Sequence, residues 1–169
     1  MEVRLRPYEM NDEGAAVSGH TEVSDEATRF LLGWEPGMEW AEFLQSCDDQ
    51  RLGLDPSEYR VRGVQLAADV EGQLVGRASV RFELNAFYEQ LGGHIGYVVL
   101  PAHRRKGYAT EILRQALVIA RYEGVAKVLM YCADANLGSS MVIESNGGVL
   151  DEVFTPSDAT APWRRYWIL

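Results

Sequence analysis

The segment "HRRKGYATEILRQAL", residues 103–117, places three cations and a glycine directly before an apolar pattern of helical period. A helix N-terminus already carries partial positive charge, so cations gathered there are unfavourable unless an anion binds beside them. Free backbone N–H groups and cationic side chains at the start of a helix are typical of a phosphate site. The alternative interpretation is a surface turn whose charges are solvated.

Two common phosphate-binding motifs do not fit this segment. A Walker A loop requires G-x-x-x-x-G-K-[ST], and the chain contains neither Gly-Lys-Ser nor Gly-Lys-Thr. A dinucleotide fingerprint requires G-x-G-x-x-G between a strand and a helix, and "GYATEI" lacks it. The remaining pattern is "RRKGYA", residues 104–109, which fits [QR]-x-x-G-x-[GA].

This pattern and its surroundings resemble the GNAT superfamily of acyl-CoA-dependent N-acetyltransferases. "IGYVVLPAHRRKGYATEILRQAL" has that family's strand, proline-containing turn, pyrophosphate loop and helix in order. About 27 residues beyond the loop, "NLGSSMVIESNGG" is similar to the family's N-x-x-S…I-E-x-x-G-G segment. The resemblance implies that an acetyl group passes from acetyl-CoA to a primary amine of a small molecule or peptide, by direct attack in a ternary complex.

The resemblance also implies where the cofactor binds. Backbone N–H groups of the loop would hold the pyrophosphate, and the pantetheine arm would fill the gap between two splayed strands. A backbone N–H at Val98 or Val99 would hold the thioester oxygen as negative charge develops. For Asn136, capping a helix is an equally good interpretation. The expected cofactor-binding residues are Val98, Val99, Arg104, Arg105, Lys106, Gly107, Tyr108, Ala109, Thr110, Asn136 and Ser139.

The attacking amine must lose a proton, which requires a base. His94 begins the strand that enters the expected cleft, and an ordinary imidazole titrates near neutral pH. Glu83 on the neighbouring strand is the second candidate. For His94 the alternative is a structural role, bonding across the sheet.

A proton donor for the departing thiolate is harder to assign. Many members of the family use a tyrosine four residues before the glycine of the second helix, and counting back from Gly147 gives Ile143. Other tyrosines that could approach are Tyr97, Tyr108, Tyr131 and Tyr166. The missing tyrosine leaves open a non-catalytic acyl-CoA-binding or sensing module, and a regulator that binds phosphoanions through the loop alone is a third possibility.

Composition limits the class of protein. The 169 residues are 47% apolar and 24% charged, which predicts one domain spanning residues 1–169. The formal net charge of −9 disfavours nucleic acid as a partner. Cys47 and Cys132 have no metal-ligand spacing, so no metal is expected. No stretch approaches the roughly 20 apolar residues of a membrane span, and the N-terminus lacks the apolar run of a signal peptide, so we expect a cytoplasmic protein. A homodimer is possible by family likeness.

Apolar patterning predicts an α+β, or mixed α/β, fold. In it an antiparallel meander precedes a β-α-β crossover, with flanking helices around a central mixed sheet. Strands are predicted at 2–8, 64–70, 74–84, 92–100 and 125–132 and in "VLDEVF" and "RRYWIL"; helices are predicted at 107–123 and 138–148. Helical spacing also occurs in "DEATRFLLGW" and "MEWAEFLQSC".

The resemblance implies an acceptor pocket formed by residues 20–60 and 85–93. Acidic side chains there would favour a cationic amine, unless they belong to an ordinary solvated surface. These acids are Glu22, Asp25, Glu26, Glu35, Glu39, Glu42, Asp48 and Asp49.

Overall fold

The computed structural model describes residues 2–23, 29–55 and 59–169, which form helices packed on two antiparallel sheets. The strands are β1 (Arg4–Pro7), β2 (Gly63–Val70), β3 (Gln73–Arg81), β4 (Ile95–Val99), β5 (Val128–Ala133), β6 (Val149–Phe154) and β7 (Trp163–Ile168). The helices are α1 (Glu13–Glu22), α2 (Trp40–Leu52), α3 (Ala86–Gln90), α4 (Tyr108–Tyr122) and α5 (Leu137–Ser145). This architecture confirms the predicted α+β class.

The first sheet is the predicted meander, with β1, β2, β3 and β4 adjacent and antiparallel in chain order. The second sheet has the order β5-β7-β6. The two sheets meet where the His94 N–H donates to the Leu129 carbonyl at 2.8 Å, and β4 and β5 then separate without forming a ladder. Gly93 permits this approach, because a side chain there would collide with the β5 backbone at Leu129. The splayed strands implied by the resemblance are therefore β4 and β5.

Both faces of the meander are covered. On one face α4 buries an apolar stripe, formed by Ile112, Leu113, Ala116, Leu117 and Ala120, with Ala109 partly buried beside it. On the other face, Trp40 and Phe43 of α2 form a second core cluster. Side chains alternate along a strand, so Ala78 and Val80 of β3 face α4. The side chains of Arg77, Ser79 and Arg81 consequently face the α2 layer.

Prediction was least accurate before β2. "MEWAEFLQSC" does lead into a helix, which begins at Trp40. In "DEATRFLLGW", residues 25–28 lie outside the described residues, and residues 29–34 form bends and turns in spite of their helical spacing. Phe30 and Leu31 belong to this non-helical segment, and both are fully buried in the core. The unpredicted α1, "EGAAVSGHTE", has almost no apolar stripe to reveal it.

Within the described part of the chain, no helix has both the length and the apolar composition needed to cross a membrane.

Candidate functional site

A cavity of about 950 Å³ opens where β4 ends, beside the N-termini of α4 and α5. Its walls come from the end of α1, the exposed edge of β4, the loop before α4, the first turn of α4, and α5. The lining residues are Glu22, Val23, Tyr97, Val98, Val99, Pro101, His103, Arg104, Arg105, Gly107, Tyr108, Ala109, Thr110, Asn136, Gly138, Ser139, Met141, Val142 and Ser145. Of the eleven residues expected to bind cofactor, the structure places all but Lys106 in this lining.

The loop before α4 has the backbone shape of an anion-binding nest. Arg105 and Gly107 both adopt left-handed conformations, with φ of 64° and 80°. α4 begins immediately afterwards at Tyr108, so the N–H groups of its first turn have no helical carbonyl to bind. Together with the helix dipole, these donors suit a phosphate-bearing ligand.

Cations reinforce that preference. The Arg104 Nε donates to the Val99 carbonyl at 3.0 Å, which ties the loop to the end of β4 and keeps a guanidinium at the cavity. His103 and Arg105 also line the cavity, whereas Glu22 is the single carboxylate in its described lining. The cavity is therefore suited to an anion along the loop.

Asn136 combines its two expected roles. It is the N-cap of α5, where its Oδ1 accepts the Ser139 N–H at 3.0 Å. It is also exposed and lines the cavity. Capping and cofactor contact are thus compatible at this position.

The candidate tyrosines differ sharply in position. Tyr97 and Tyr108 line the cavity. The Tyr131 hydroxyl donates to the Glu89 carbonyl, and the Tyr166 hydroxyl, inside the core, donates to the Glu144 carboxylate at 2.8 Å.

Tyr97 has a defined partner within the cavity. Its hydroxyl lies 2.8 Å from Ser139 Oγ. Burial raises the pKa of Tyr97 to about 12, so the phenol stays protonated at neutral pH. Ile143, at the position where the resemblance implies a tyrosine, is fully buried. Tyr97 is therefore a hydrogen-bond donor in the cavity that the motif alone could not single out.

The two candidate bases, His94 and Glu83, do not line the cavity. His94 is buried, and its Nδ1 accepts the Leu129 N–H at 2.9 Å. Its pKa is lowered, mainly by burial and secondarily by the charge of Arg81. Glu83 is exposed and accepts the Arg62 N–H at 3.4 Å. These contacts favour the structural interpretation of His94.

We expect His94→Ala to lower the free energy of unfolding by about 1–3 kcal/mol, because the buried Leu129 N–H loses its acceptor. The lowered pKa adds a pH dependence. The uncharged imidazole's contribution is complete above the ordinary pKa near 6.5 and is lost as the pH falls below it toward the folded pKa. Urea unfolding between pH 8 and pH 5 should show a shallower pH dependence in the variant, and His20 contributes to what remains because burial also lowers its pKa.

Loss of the acidic limb of kcat/KM in His94→Ala, with stability intact, would instead identify His94 as the base.

Comparison with known proteins gives one family. The family model described as "Acetyltransferase (GNAT) domain" matches residues 2–149. A solved structure of a probable acetyltransferase superimposes with a TM-score of 0.70 and 17% identity, covering 99% of this chain and 93% of that chain. The structure of the putative acetyltransferase yncA from Salmonella typhimurium, with its cofactor acetyl-CoA, superimposes with a TM-score of 0.67 and 15% identity, covering 99% of this chain and 94% of that chain.

A third solved structure is a chimeric spermidine N-acetyltransferase from Vibrio cholerae and hSSAT. It gives a TM-score of 0.64 and 18% identity, covering 100% of this chain and 96% of that chain. At these identities the structures show a common fold. No curated protein matches the sequence.

Proposed function

Because the chain belongs to the GNAT acetyltransferase family, we propose that it transfers the acetyl group of acetyl-CoA to the primary amine of a small molecule or a peptide, by direct attack in a ternary complex. The observation that carries this proposal is the cavity, in which a left-handed loop with arginines opens α4 beside the free edge of β4. The relative named as a spermidine N-acetyltransferase supports an amine as the acceptor class.

In this proposal each part of the cavity wall binds a different part of acetyl-CoA or stabilises charge that develops during the reaction. The loop N–H groups, Arg104 and Arg105 bind the diphosphate, and the edge of β4 at Val98 and Val99 pairs with the pantetheine arm. A backbone N–H of β4 stabilises the oxygen of the tetrahedral intermediate. Acetyl-CoA supplies the activated acyl group, and the chain's own residues orient it and stabilise developing charge.

Tyr97 assists the leaving group. Its pKa of about 12 lies above the ordinary pKa of a thiol, near 8.5. Complete proton transfer from this phenol to the thiolate is therefore uphill, and Tyr97 acts by donating a hydrogen bond to the sulfur as it becomes negative.

The sequence suggested His94 and Glu83 as the base that accepts the proton of the amine, but both lie outside the cavity lining. We propose Glu22 as a third candidate base, because its carboxylate is in that lining. A cytoplasmic location, a single domain, a possible dimer, and the lack of metal, membrane and nucleic-acid partners remain predictions from the sequence.

Cofactor binding is the first test. At an acetyl-CoA concentration about 100 times its Kd, binding stabilises the folded state by about 2.7 kcal/mol, which raises the Tm by roughly 5–10 °C for a chain of this size. We expect this shift with acetyl-CoA and a much smaller one with ATP, measured by thermal denaturation. CoA release, detected with a thiol reagent over an amine panel, should then identify an acceptor.

The outcomes separate the three hypotheses. A shift with acetyl-CoA but no turnover on a broad panel favours the acyl-CoA-binding module. Equal shifts with ATP and CoA favour a phosphoanion regulator. No shift with any CoA thioester contradicts the proposed function.

A further inference from the structure

Two arginines of β3 are buried and have no carboxylate partner among the described residues. Arg77 and Arg81 are 6% and 9% exposed, on the face of the meander that packs against the α2 layer. Arg77 donates to Ser79 Oγ at 3.2 Å and to the Arg29 carbonyl at 2.6 Å, while Arg81 donates to the Gly93 carbonyl at 3.1 Å. All three acceptors are neutral, and no carboxylate of the described residues forms an ion pair with either guanidinium.

This lack of partners is unusual for the molecule. At least eight other arginines pair with carboxylates, although most of those are more exposed and need a partner less. Among the residues that the structure describes, the Arg77 Nε has no hydrogen-bond partner, and neither has the buried hydroxyl of Tyr8. A buried cation without a counter-ion is strongly disfavoured. Burial lowers the pKa of Arg77 to about 10, which still leaves the side chain charged at neutral pH, so a bound anion would stabilise it.

The position of Arg77 indicates where that anion comes from. In the β3–β4 ladder, Arg77 lies opposite Val98, and Ser79 lies opposite Gly96. Gly96 is partly exposed, and a Cβ there would lie 3.1 Å from Ser79 Oγ and 3.4 Å from Arg77 Nη1. Arg77 and Ser79 lie outside the cavity lining, but Arg77 is the ladder partner of Val98, which does line it. Having no side chain at residue 96 leaves the guanidinium and the hydroxyl beside the backbone of β4, the strand along which the acyl arm is proposed to lie.

We propose that Arg77, with Ser79 beside it, binds a carboxylate of the acceptor, so that the acceptor is an amine that also carries a carboxylate. Arg81 adds positive potential behind this site, and its guanidinium stacks on Tyr88 at 4.0 Å from the ring centroid. A guanidinium with an unused N–H matches a two-oxygen anion well. The inference rests on the proposed function and narrows its acceptor class.

The experiment compares acids with their amides. Acetylation of a panel of α- and ω-amino acids is measured beside the matching amino amides, in wild type, Arg77→Met and Arg77→Lys. For each protein we take the ratio of kcat/KM for the acid to kcat/KM for its amide. Comparing this ratio between wild type and variant removes the effect of each amine's intrinsic reactivity. We expect this ratio to fall about 10- to 100-fold in Arg77→Met, mainly through KM, and to recover in part in Arg77→Lys. Arg51→Met, an exposed arginine on α2, is the control and should leave it unchanged.

Two further measurements guard the interpretation. Removing an unpaired buried cation should change the Tm of the free protein little. The contrary result is a strong fall in the Tm of Arg77→Met that vanishes when Asp25→Asn and Glu26→Gln are also introduced. That result would show that the chain itself supplies the counter-ion, and it would overturn the proposal. A preference for phosphoethanolamine over every amino acid would overturn the carboxylate assignment.

Failure of the proposed function gives a different result. If no amine is acetylated, the inference is tested by binding, as the thermal shift that the amino acids cause in the presence of CoA. A shift that is absent, or equal in wild type and Arg77→Met, overturns the carboxylate site. Turnover with an unchanged acid-to-amide ratio overturns the inference and leaves the acetyltransferase intact.

Discussion

Gly107→Val will abolish measurable acetyl-CoA binding while the protein still folds. Gly107 is the N-cap of α4 with φ of 80°, and a Cβ built there meets no protein atom within 4 Å. The added side chain therefore projects into open space at the cavity and blocks the loop N–H groups from phosphate oxygens. Loss of two charge-assisted hydrogen bonds, each of about 1.5–3 kcal/mol, corresponds to a fall in affinity of at least about 100-fold. Calorimetric titration with acetyl-CoA measures it directly.

The same helix provides a matched control for that experiment. Gly124 also has a left-handed conformation, with φ of 91°, and a Cβ there also meets no atom within 4 Å. It lies just beyond the C-terminus of α4 and outside the cavity lining. Both variants should lose about 1–3 kcal/mol of stability from backbone strain, but Gly124→Val should bind acetyl-CoA normally. Equal affinity in the two variants would show that the loop does not hold the cofactor.

The elements that sequence analysis located well are those whose signal is local. The loop and α4 combine a Pro-containing turn, a glycine at the N-cap and an apolar stripe, all within about 20 residues, and the structure places them as predicted. α1 and the buried segment 29–34 have no such signal. Phe30 and Leu31 are held by tertiary packing, which no local periodicity records.

The cavity shows the same limit at the level of single side chains. Glu22 reaches it from the end of α1, across a long separation in sequence, so no motif could place it there. Four tyrosines were equal candidates until the course of each strand and helix was known. Arg77 and Arg81 were not singled out, because a charged residue in an alternating strand is normally assigned to solvent. Only packing on both faces of the meander reveals that they are buried.

Tyr97→Phe should lower kcat by about 100- to 1,000-fold with little change in the KM for acetyl-CoA. The ring would keep its packing against the α4-side core, while the hydroxyl beside Ser139 would be lost. Removing one preorganised donor to a developing negative charge costs a factor of this size in other acyl-transfer sites. Because the pKa of Tyr97 is about 12, the wild-type rate should show no loss of activity from its ionisation up to about pH 10. Steady-state kinetics across pH, with any amine that turns over, measures both effects.

Two variants separate leaving-group assistance from a structural role. Tyr131→Phe also removes a tyrosine hydroxyl bonded to another residue, here the Glu89 carbonyl outside the cavity, and should leave kcat unchanged. Ser139→Ala removes the nearer partner of the Tyr97 hydroxyl but keeps the Ser139 carbonyl, to which that hydroxyl donates at 3.3 Å. We therefore expect a smaller fall in kcat, of about 2- to 10-fold, from poorer orientation of the donor. If kcat falls by the same small factor in Tyr97→Phe and in Ser139→Ala, the contact between the two side chains only stabilises the packing of β4 against α5. The CoA thiolate then departs without help from the protein, as the absence of a tyrosine at residue 143 would also allow.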